Sequence, residues 1–324
     1  MTEPGPAHWP AAAGQGGHVP GLTTALTGRL RAAGLDPVAV AAVAAAALAE
    51  DLAGGIDETT AATVPPASAA RADLVARKKG VVAGLPVTEA VFAVASAGLA
   101  CTALAADGDL VAPGQALLTV TGPVGPILTA ERTALNLLCH LSGVATLTRQ
   151  WADAIAGTGA QIRDTRKTTP GLRLLEKYAV RCGGGINHRM SLSDAALIKD
   201  NHVAAAGSVA AAFTAVRARS PGLALEVECD TLDQVAEALA AGADLILLDN
   251  FAIADLARAV QLAGGRALLE ASGGLTLASA RAVAETGVDY LAVGALTHSA
   301  PALDIGLDLA QATSTIGTRD ATDH

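Results

Sequence analysis

The sequence predicts an α/β protein in two parts, an antiparallel α+β unit followed by a parallel α/β barrel. Three observations carry that prediction. Residues 71 to 130 hold short β-like runs, DLVARKKGVVAG and ACTALAADGDLVAPGQALLTVTGP, broken by DGD, PG and TGP turns. From residue 160 the rhythm changes: a short apolar strand ends on a polar residue or glycine, and a helical stretch follows. The segments AQIRDTRK, AALIKDNH, LALEVECD, DLILLDN, ALLEASGG and YLAVGALTHS repeat that pattern. Such βα units in series build a parallel sheet, and six of them favour closure into a barrel. A chain of 324 residues has room for both parts.

Taken in order, residues 1–20 (MTEPGPAHWPAAAGQGGHVP) read as a disordered lead-in rather than a signal peptide, because a basic start and a leucine-rich core are missing. From about residue 20 to 70, alanine-rich helical segments lead to a loop. Their longest apolar run, VAVAAVAAAALA at 38–49, falls short of the ~20 residues of a membrane span. EDLAGGIDETTAATVPP reads as a loop, and VTEAVFAVASAG as a helix between strands. In ERTALNLLCHLSGVATLT, Ala134, Leu137, Leu138 and Leu141 recur at helical spacing, so a helix starting near Glu131 buries one face. Between the later strands, TLDQVAEALAAGA and TLASARAVAETGV read as amphipathic helices.

Composition limits the partners. Net charge is −9 and aromatics are 2% of the chain, which argues against nucleic acid. Cys101, Cys139, Cys182 and Cys229 are scattered with no CxxC pair, so a disulfide framework or zinc site is not expected, and a reducing cytoplasm is. Against this acidic background, RDTRKTTPG (163–171) gathers Arg163, Arg166 and Lys167, and GGGINHR adds His188 and Arg189. A local basic cluster of this kind points to a small anion.

In a barrel the chemistry lies at the C-terminal ends of the strands. The groups there are Lys167, Lys199, Glu228, Asp249, Ser272 and Gly294. One charge ending an apolar strand is usually only solvent-facing, but charges on successive strands argue for a site. Two carboxylates, Glu228 and Asp249, near two lysines suit a divalent cation with a phosphorylated ligand. EASGG and VGALTHS read as paired phosphate-gripping loops, whose glycines let backbone N–H groups approach an anion. Arginine forks suit carboxylates, so several of them imply a ligand with more than one acidic group. Arg163, Arg173, Lys177 and Arg181 read instead as solvated or paired, and Cys229 as packing. Arg132 is expected near a helix start, where the macrodipole disfavours a cation.

In this order, ERTALNLLCHLSGVATLT, RDTRKTTPGLRLLEKYAVRCGGGINHR, LIKDNH, EVECD, LLDN, EASGG and VGALTHS resemble the quinolinate phosphoribosyltransferase family. The resemblance runs from about residue 30 to 312, and DTRKTTPG…GG…NHR is its most specific part; the looser GGIDETTAAT and the lysines Lys78 and Lys79 depart from it. It implies an N-terminal α/β sandwich over 21–138, completed by 302–316, an open, incomplete TIM-like α/β barrel over 139–301, and a disordered tail at 317–324. It further implies phosphoribosyl transfer from phosphoribosyl pyrophosphate to quinolinate with loss of CO₂, using Mg²⁺. Arg166, His188, Arg189 and Lys199 would line the quinolinate pocket, with Arg132 supplied by the other subunit of a homodimer, itself able to associate further. Lys167, Glu228, Asp249, Ser272, Gly273, Gly294 and His298 would take phosphoribosyl pyrophosphate. Glu228 and Asp249 would hold the metal, and Lys167, Lys199, Glu228 and Asp249 would carry the catalysis. The rivals are a phosphoribosyltransferase acting on nicotinate or a molybdenum-related ligand, which needs fewer arginines, and a Schiff-base aldolase using Lys199.

Overall fold

A computed structural model describes residues 19–310. The tail expected at 1–20 lies outside them except at its end, where Val19 is already buried in the core. The tail at 317–324 and residues 311–316 of the expected completing segment also lie outside them.

The N-terminal part opens with helices α1 (Thr24–Ala32), α2 (Pro37–Leu52) and α3 (Glu58–Thr63). Helix α3 lies inside the stretch expected to be a loop. Asp57 caps it, accepting from the Thr60 N–H at 3.0 Å, and a short polar sequence with such a cap closes one turn and a half. Strands β1 (Ala69–Ala76) and β2 (Gly80–Val81), helix α4 (Leu85–Ala95), and strands β3 (Ala100–Ala103), β4 (Leu110–Val111) and β5 (Ala116–Pro123) follow. Strand alternation sends Ala72, Leu74, Leu118 and Val120 into the core. Arg71, Asp73 and Thr119 bond to one another on the opposite face.

Helix α5 (Val124–Ala154) has 31 residues and joins the two parts. It starts seven residues before Glu131, where the sequence suggested. Gly125 and Pro126 read as breakers, but they sit in the first turn, whose N–H groups have no helical partner to lose. Residues 138 and 139 both lie inside α5, so the expected division falls within a helix rather than at a linker. Arg132 is in the third turn, so the macrodipole argument for it does not apply.

The C-terminal part is built from β6 (Gln161–Arg163), α6 (Arg173–Cys182), β7 (Ala196–Ile198), α7 (Asp200–Ala206), α8 (Val209–Arg219), β8 (Leu225–Cys229), α9 (Leu232–Ala240), β9 (Leu245–Asp249), α10 (Ile253–Ala263), β10 (Leu268–Ser272), α11 (Leu277–Ala284), β11 (Tyr290–Ala292) and α12 (Ala295–His298). Its six strands are all parallel, in the order β6-β11-β10-β9-β8-β7. The barrel is open: β6 and β7 are not paired, and only Ile186 bridges to Arg163 on the β6 edge. Strand β12 (Ile305–Leu309) then leaves the barrel and pairs antiparallel with β1, so the N-terminal sheet reads β12-β1-β5-β3. Gly143 of α5 makes that return path possible, since a Cβ there would stand 2.2 Å from the Pro301 carbonyl oxygen. No single helix among the described residues is long and apolar enough to cross a membrane.

Candidate active site

Strand periodicity places Glu226 and Glu228 of β8, Glu270 and Ser272 of β10, and Leu247 and Asp249 of β9 on one face. Contacts show that this face is the barrel interior, which holds two levels of polar groups.

The lower level is closed. Arg163 Nη1 donates to Glu270 Oε2 at 2.5 Å and lies 3.9 Å from Glu226 Oε1. Its guanidinium stacks over the Tyr290 ring, 4.9 Å from the centroid. His188 is buried beside them. The Arg189 N–H donates to His188 Nδ1 at 2.7 Å, so the ring proton sits on Nε2, which faces Glu226 Oε2 at 2.8 Å. Burial holds the His188 pKa down to about 4. Burial also pushes Glu226 and Glu270 up to about 7, and the proximity of Glu226 raises Glu270 further. The ligating atoms of His188, Glu226 and Glu270 lie within 4.8 Å of one another. The set does not suit a metal, however, because the Nε2 proton and Arg163 already occupy the space between the carboxylates.

The upper level is open and carries most of the residues expected from sequence. Lys199, at the end of β7, donates to Glu228 Oε2 at 2.7 Å. Asp249 ends β9 next to Ser272 of β10 in the strand register, and its Oδ2 accepts from Asn250 Nδ2 at 2.8 Å. Gly273 has φ +82°, and a Cβ there would meet Asn250 Oδ1 at 2.3 Å and Asp249 Oδ1 at 2.9 Å. Only glycine lets that loop lie over the carboxylate. Across the barrel, Gly294 lies under Lys167 and His298: a Cβ on it would be 3.1 Å from Lys167 Cδ and 3.2 Å from His298 Nε2. Thr297 Oγ1 donates to the Lys167 carbonyl at 2.7 Å, locking the loops after β6 and β11 together. Lys167 itself lies four residues beyond the end of β6, whose terminal residue is Arg163.

Arg166 and Arg189 are neighbours, and burial, with the charge of Arg166 second, lowers the Arg189 pKa. Each has a buried Nε with no protein acceptor. Among the described residues, the five buried unpartnered side-chain atoms are these two, Arg163 Nε, Glu226 Oε1 and Glu270 Oε1. All five belong to the barrel interior and the pocket above it.

The structure therefore separates residues that the sequence grouped. Arg166, Arg189 and Lys199, with Lys167, Glu228, Asp249, Ser272, Gly273, Gly294 and His298, belong to the open level. His188 and Arg189 are both buried, at 6% and 5% exposure; the His188 ring turns to Glu226 in the lower level, while Arg189 lies beside Arg166. Arg132 is exposed on α5 and makes no side-chain bond among the described residues. Glu226 and Glu270 were missed, although each stands two residues before a strand-end group in an otherwise apolar strand, and such a charge must face a polar interior. Cys229 is buried and its thiol is pushed up to about 12, which fits packing rather than reactivity.

Fold and site together define a class: open α/β-barrel proteins whose C-terminal rim gathers cations and carboxylates around anionic ligands. Comparison with known proteins narrows it. Residues 57–142 match the model of the quinolinate phosphoribosyl transferase N-terminal domain, and residues 144–308 that of its C-terminal domain. The chain belongs to the quinolinate phosphoribosyltransferase family. It is 56% identical over 270 residues to the nicotinate-nucleotide pyrophosphorylase [carboxylating] of Mycobacterium leprae, covering 81% of this chain and 94% of that one. Among solved structures, NadC from Streptococcus pyogenes matches with 41% identity and a TM-score of 0.81, covering 85% of this chain and 99% of that one. The nicotinate-nucleotide pyrophosphorylase from Francisella tularensis matches with 38% identity and a TM-score of 0.82, covering 85% and 98%.

Proposed function

We propose that this chain transfers the phosphoribosyl group of phosphoribosyl pyrophosphate to quinolinate and removes one carboxylate, giving nicotinate mononucleotide, pyrophosphate and CO₂ in de novo NAD synthesis. The observation that carries this is the Arg166–Arg189 pair: two adjacent guanidiniums, each with a buried unpartnered Nε and neither in a salt bridge among the described residues. Two adjacent ring carboxylates answer that arrangement, and a charge-assisted bond to each contributes about 1.5–3 kcal/mol.

Held by Arg166 and Arg189, the ring presents its nitrogen to the ribose C1 carbon, and fixing that alignment removes much of the entropic barrier. Lys167, Ser272, Gly273, Gly294 and His298 grip the phosphates. Lys199 neutralises anionic charge beside Glu228, and Glu228 and Asp249 face the ribose, where positive charge develops as the pyrophosphate bond breaks. Glu228 and Asp249 are hard oxygen donors on adjacent strands, a set that fits Mg²⁺ shared with phosphate oxygens. When bound, Mg²⁺ neutralises the departing pyrophosphate. After transfer the ring nitrogen is cationic. The bond to the adjacent carboxylate then breaks, CO₂ leaves, and the electron pair stays on the ring carbon beside the cationic nitrogen until a proton replaces it.

Arg132, exposed and unbonded on α5, reaches the site from the other subunit of a homodimer in this proposal. Four free cysteines suit a cytoplasmic location. The test is release of labelled CO₂ from quinolinate labelled in the carboxylate next to the nitrogen, with phosphoribosyl pyrophosphate and Mg²⁺. Release at rates far above background, lost on chelation of the metal, is expected. No labelled CO₂, with mononucleotide formed from nicotinate instead, would move the assignment to the nicotinate-using rival.

A further inference from the structure

Helix α6 places Arg173, Glu176 and Lys177 at i, i+3 and i+4, and hence on one face. Each holds the segments that carry the pocket cations. Lys177, fully buried, bonds to the Asp164 carboxylate and donates to the His188 carbonyl at 2.9 Å, joining the two segments at their roots. Glu176 accepts from the Thr169 N–H at 3.0 Å and meets His140 Nε2 at 2.9 Å.

Arg173 joins the segments at the level of the pocket. Its Nε donates to Thr168 Oγ1 at 3.0 Å and its Nη1 to the Met190 carbonyl at 3.1 Å, while Nη2 reaches the Arg166 carbonyl at 3.4 Å. One rigid guanidinium therefore spans from the backbone of Arg166 to the residue after Arg189. Arg166 and Arg189 repel each other, so their separation needs an external brace. A planar fork with several donors can act as one, whereas an ammonium is a point donor on a flexible stem.

We infer that Arg173 is a positioning residue that fixes the spacing of Arg166 and Arg189 and so selects a ring with two adjacent carboxylates. The inference rests on the pocket assignment above. A ligand with one carboxylate, or with two set further apart, leaves one of the two guanidiniums unneutralised in a fixed frame, and a flexible frame would tolerate it better.

The test uses the full chain carrying Arg173→Ala or Arg173→Lys. Binding of benzene-1,2-dicarboxylate and benzene-1,3-dicarboxylate is measured by calorimetry, and KM is measured separately for quinolinate and for phosphoribosyl pyrophosphate. Wild type should prefer the 1,2 isomer. In both variants that preference should shrink and the quinolinate KM rise, each by about tenfold or more, the scale of a misplacement of an ångström or less. The KM for phosphoribosyl pyrophosphate should rise clearly less than that for quinolinate, because Lys167, though it lies between two residues that Arg173 holds, is also fixed through its carbonyl by Thr297. An unchanged isomer preference in Arg173→Ala would overturn the inference. So would full recovery in Arg173→Lys, since charge alone would then suffice. An equal fall in every parameter together with the melting temperature would do so as well, by marking a merely structural role. If wild type binds the 1,2 isomer selectively yet releases no CO₂ from quinolinate, the reaction assignment fails and the positioning inference stands or falls on the isomer ratio alone.

Discussion

The two levels of the barrel interior are built from the same residue types and use them in opposite ways. Below, Arg163, Glu226, Glu270 and His188 are buried and bonded to one another. Above, Lys167 and Lys199 are exposed, and Arg166 and Arg189 make no salt bridge among the described residues. Within RDTRK, Arg163 and Arg166 are three residues apart, yet one is ion-paired inside the barrel and the other makes no salt bridge among the described residues. Charge type does not separate the two roles. What separates the arginines is whether the chain places a carboxylate within salt-bridge distance; Lys199, which has Glu228, is set apart by its exposure.

The sharpest contrast is between a buried lysine and an exposed one. Lys177 has no access to water and answers Asp164, whose carboxylate also accepts from Asn187 Nδ2 at 2.6 Å and the His188 N–H at 2.8 Å. Replacing Lys177 by Met leaves that carboxylate buried without its cation, a change that costs about 3–5 kcal/mol. Urea unfolding should show a loss of that size, and a loss below about 1 kcal/mol, the scale of an exposed pair, would place Lys177 in the same category as the rim. Lys199 should behave in the reverse way. It is 47% exposed on its side chain and bonded only to Glu228. For Lys199→Ala we expect kcat/KM to fall about 100-fold, or ~2.7 kcal/mol of transition-state stabilisation. Stability should change by no more than about 0.5 kcal/mol, as for other surface positions. Full activity in this variant would remove Lys199 from the site.

The rim was legible in sequence for a physical reason. In a parallel barrel the apolar run stops where the strand leaves the core, so the residue that ends it, as in LIKD, LLDN or EASGG, must lie at the rim. The lower level gives no such signal. Glu226 in LALEVEC and Glu270 in LLEAS are single carboxylates among aliphatic neighbours, and only the assembled barrel shows that their counter-charge, Arg163, arrives from β6. The resemblance places both His188 and Arg189 in the pocket, yet successive residues of an extended segment point to opposite sides, and the His188 ring meets Glu226. The apolar spacing that marks α5 begins only after Glu131, while its first turn carries Gly125 and Pro126, which that turn tolerates. Arg173 looked like a solvated charge because its acceptors are two carbonyls and a hydroxyl, which carry no sequence signature.

The smallest effect concerns the balance of the lower level. Two carboxylates there face one guanidinium; burial raises both to about 7, with the Glu226 charge adding to the rise of Glu270 and the Glu228 charge to that of Glu226. An unfolded glutamate releases its proton near 4.5. Between those values the folded state binds more protons than the unfolded state, so stability falls as pH rises through the window and the full penalty is present above it. Glu270→Gln removes the charge and keeps an acceptor for Arg163, which still has Glu226 at 3.9 Å. The variant should be more stable than wild type near pH 8, by on the order of 1 kcal/mol once the lost Arg163 pairing is set against relief of the repulsion. That gain should vanish towards about pH 4.5, the ordinary range of a glutamate. His188 works in the other direction, since burial holds its folded form down to about 4 while its unfolded form protonates near 6.5; Glu270, 3.7 Å away, raises it, so the variant lowers His188 further and loses some of its advantage on the acid side of the window. Melting temperatures of the two proteins across that range measure the gap directly. A variant less stable than wild type near pH 8 would mean that Arg163 requires both carboxylates, and that the lower level is held by a charged triad rather than by a pair with a surplus acid.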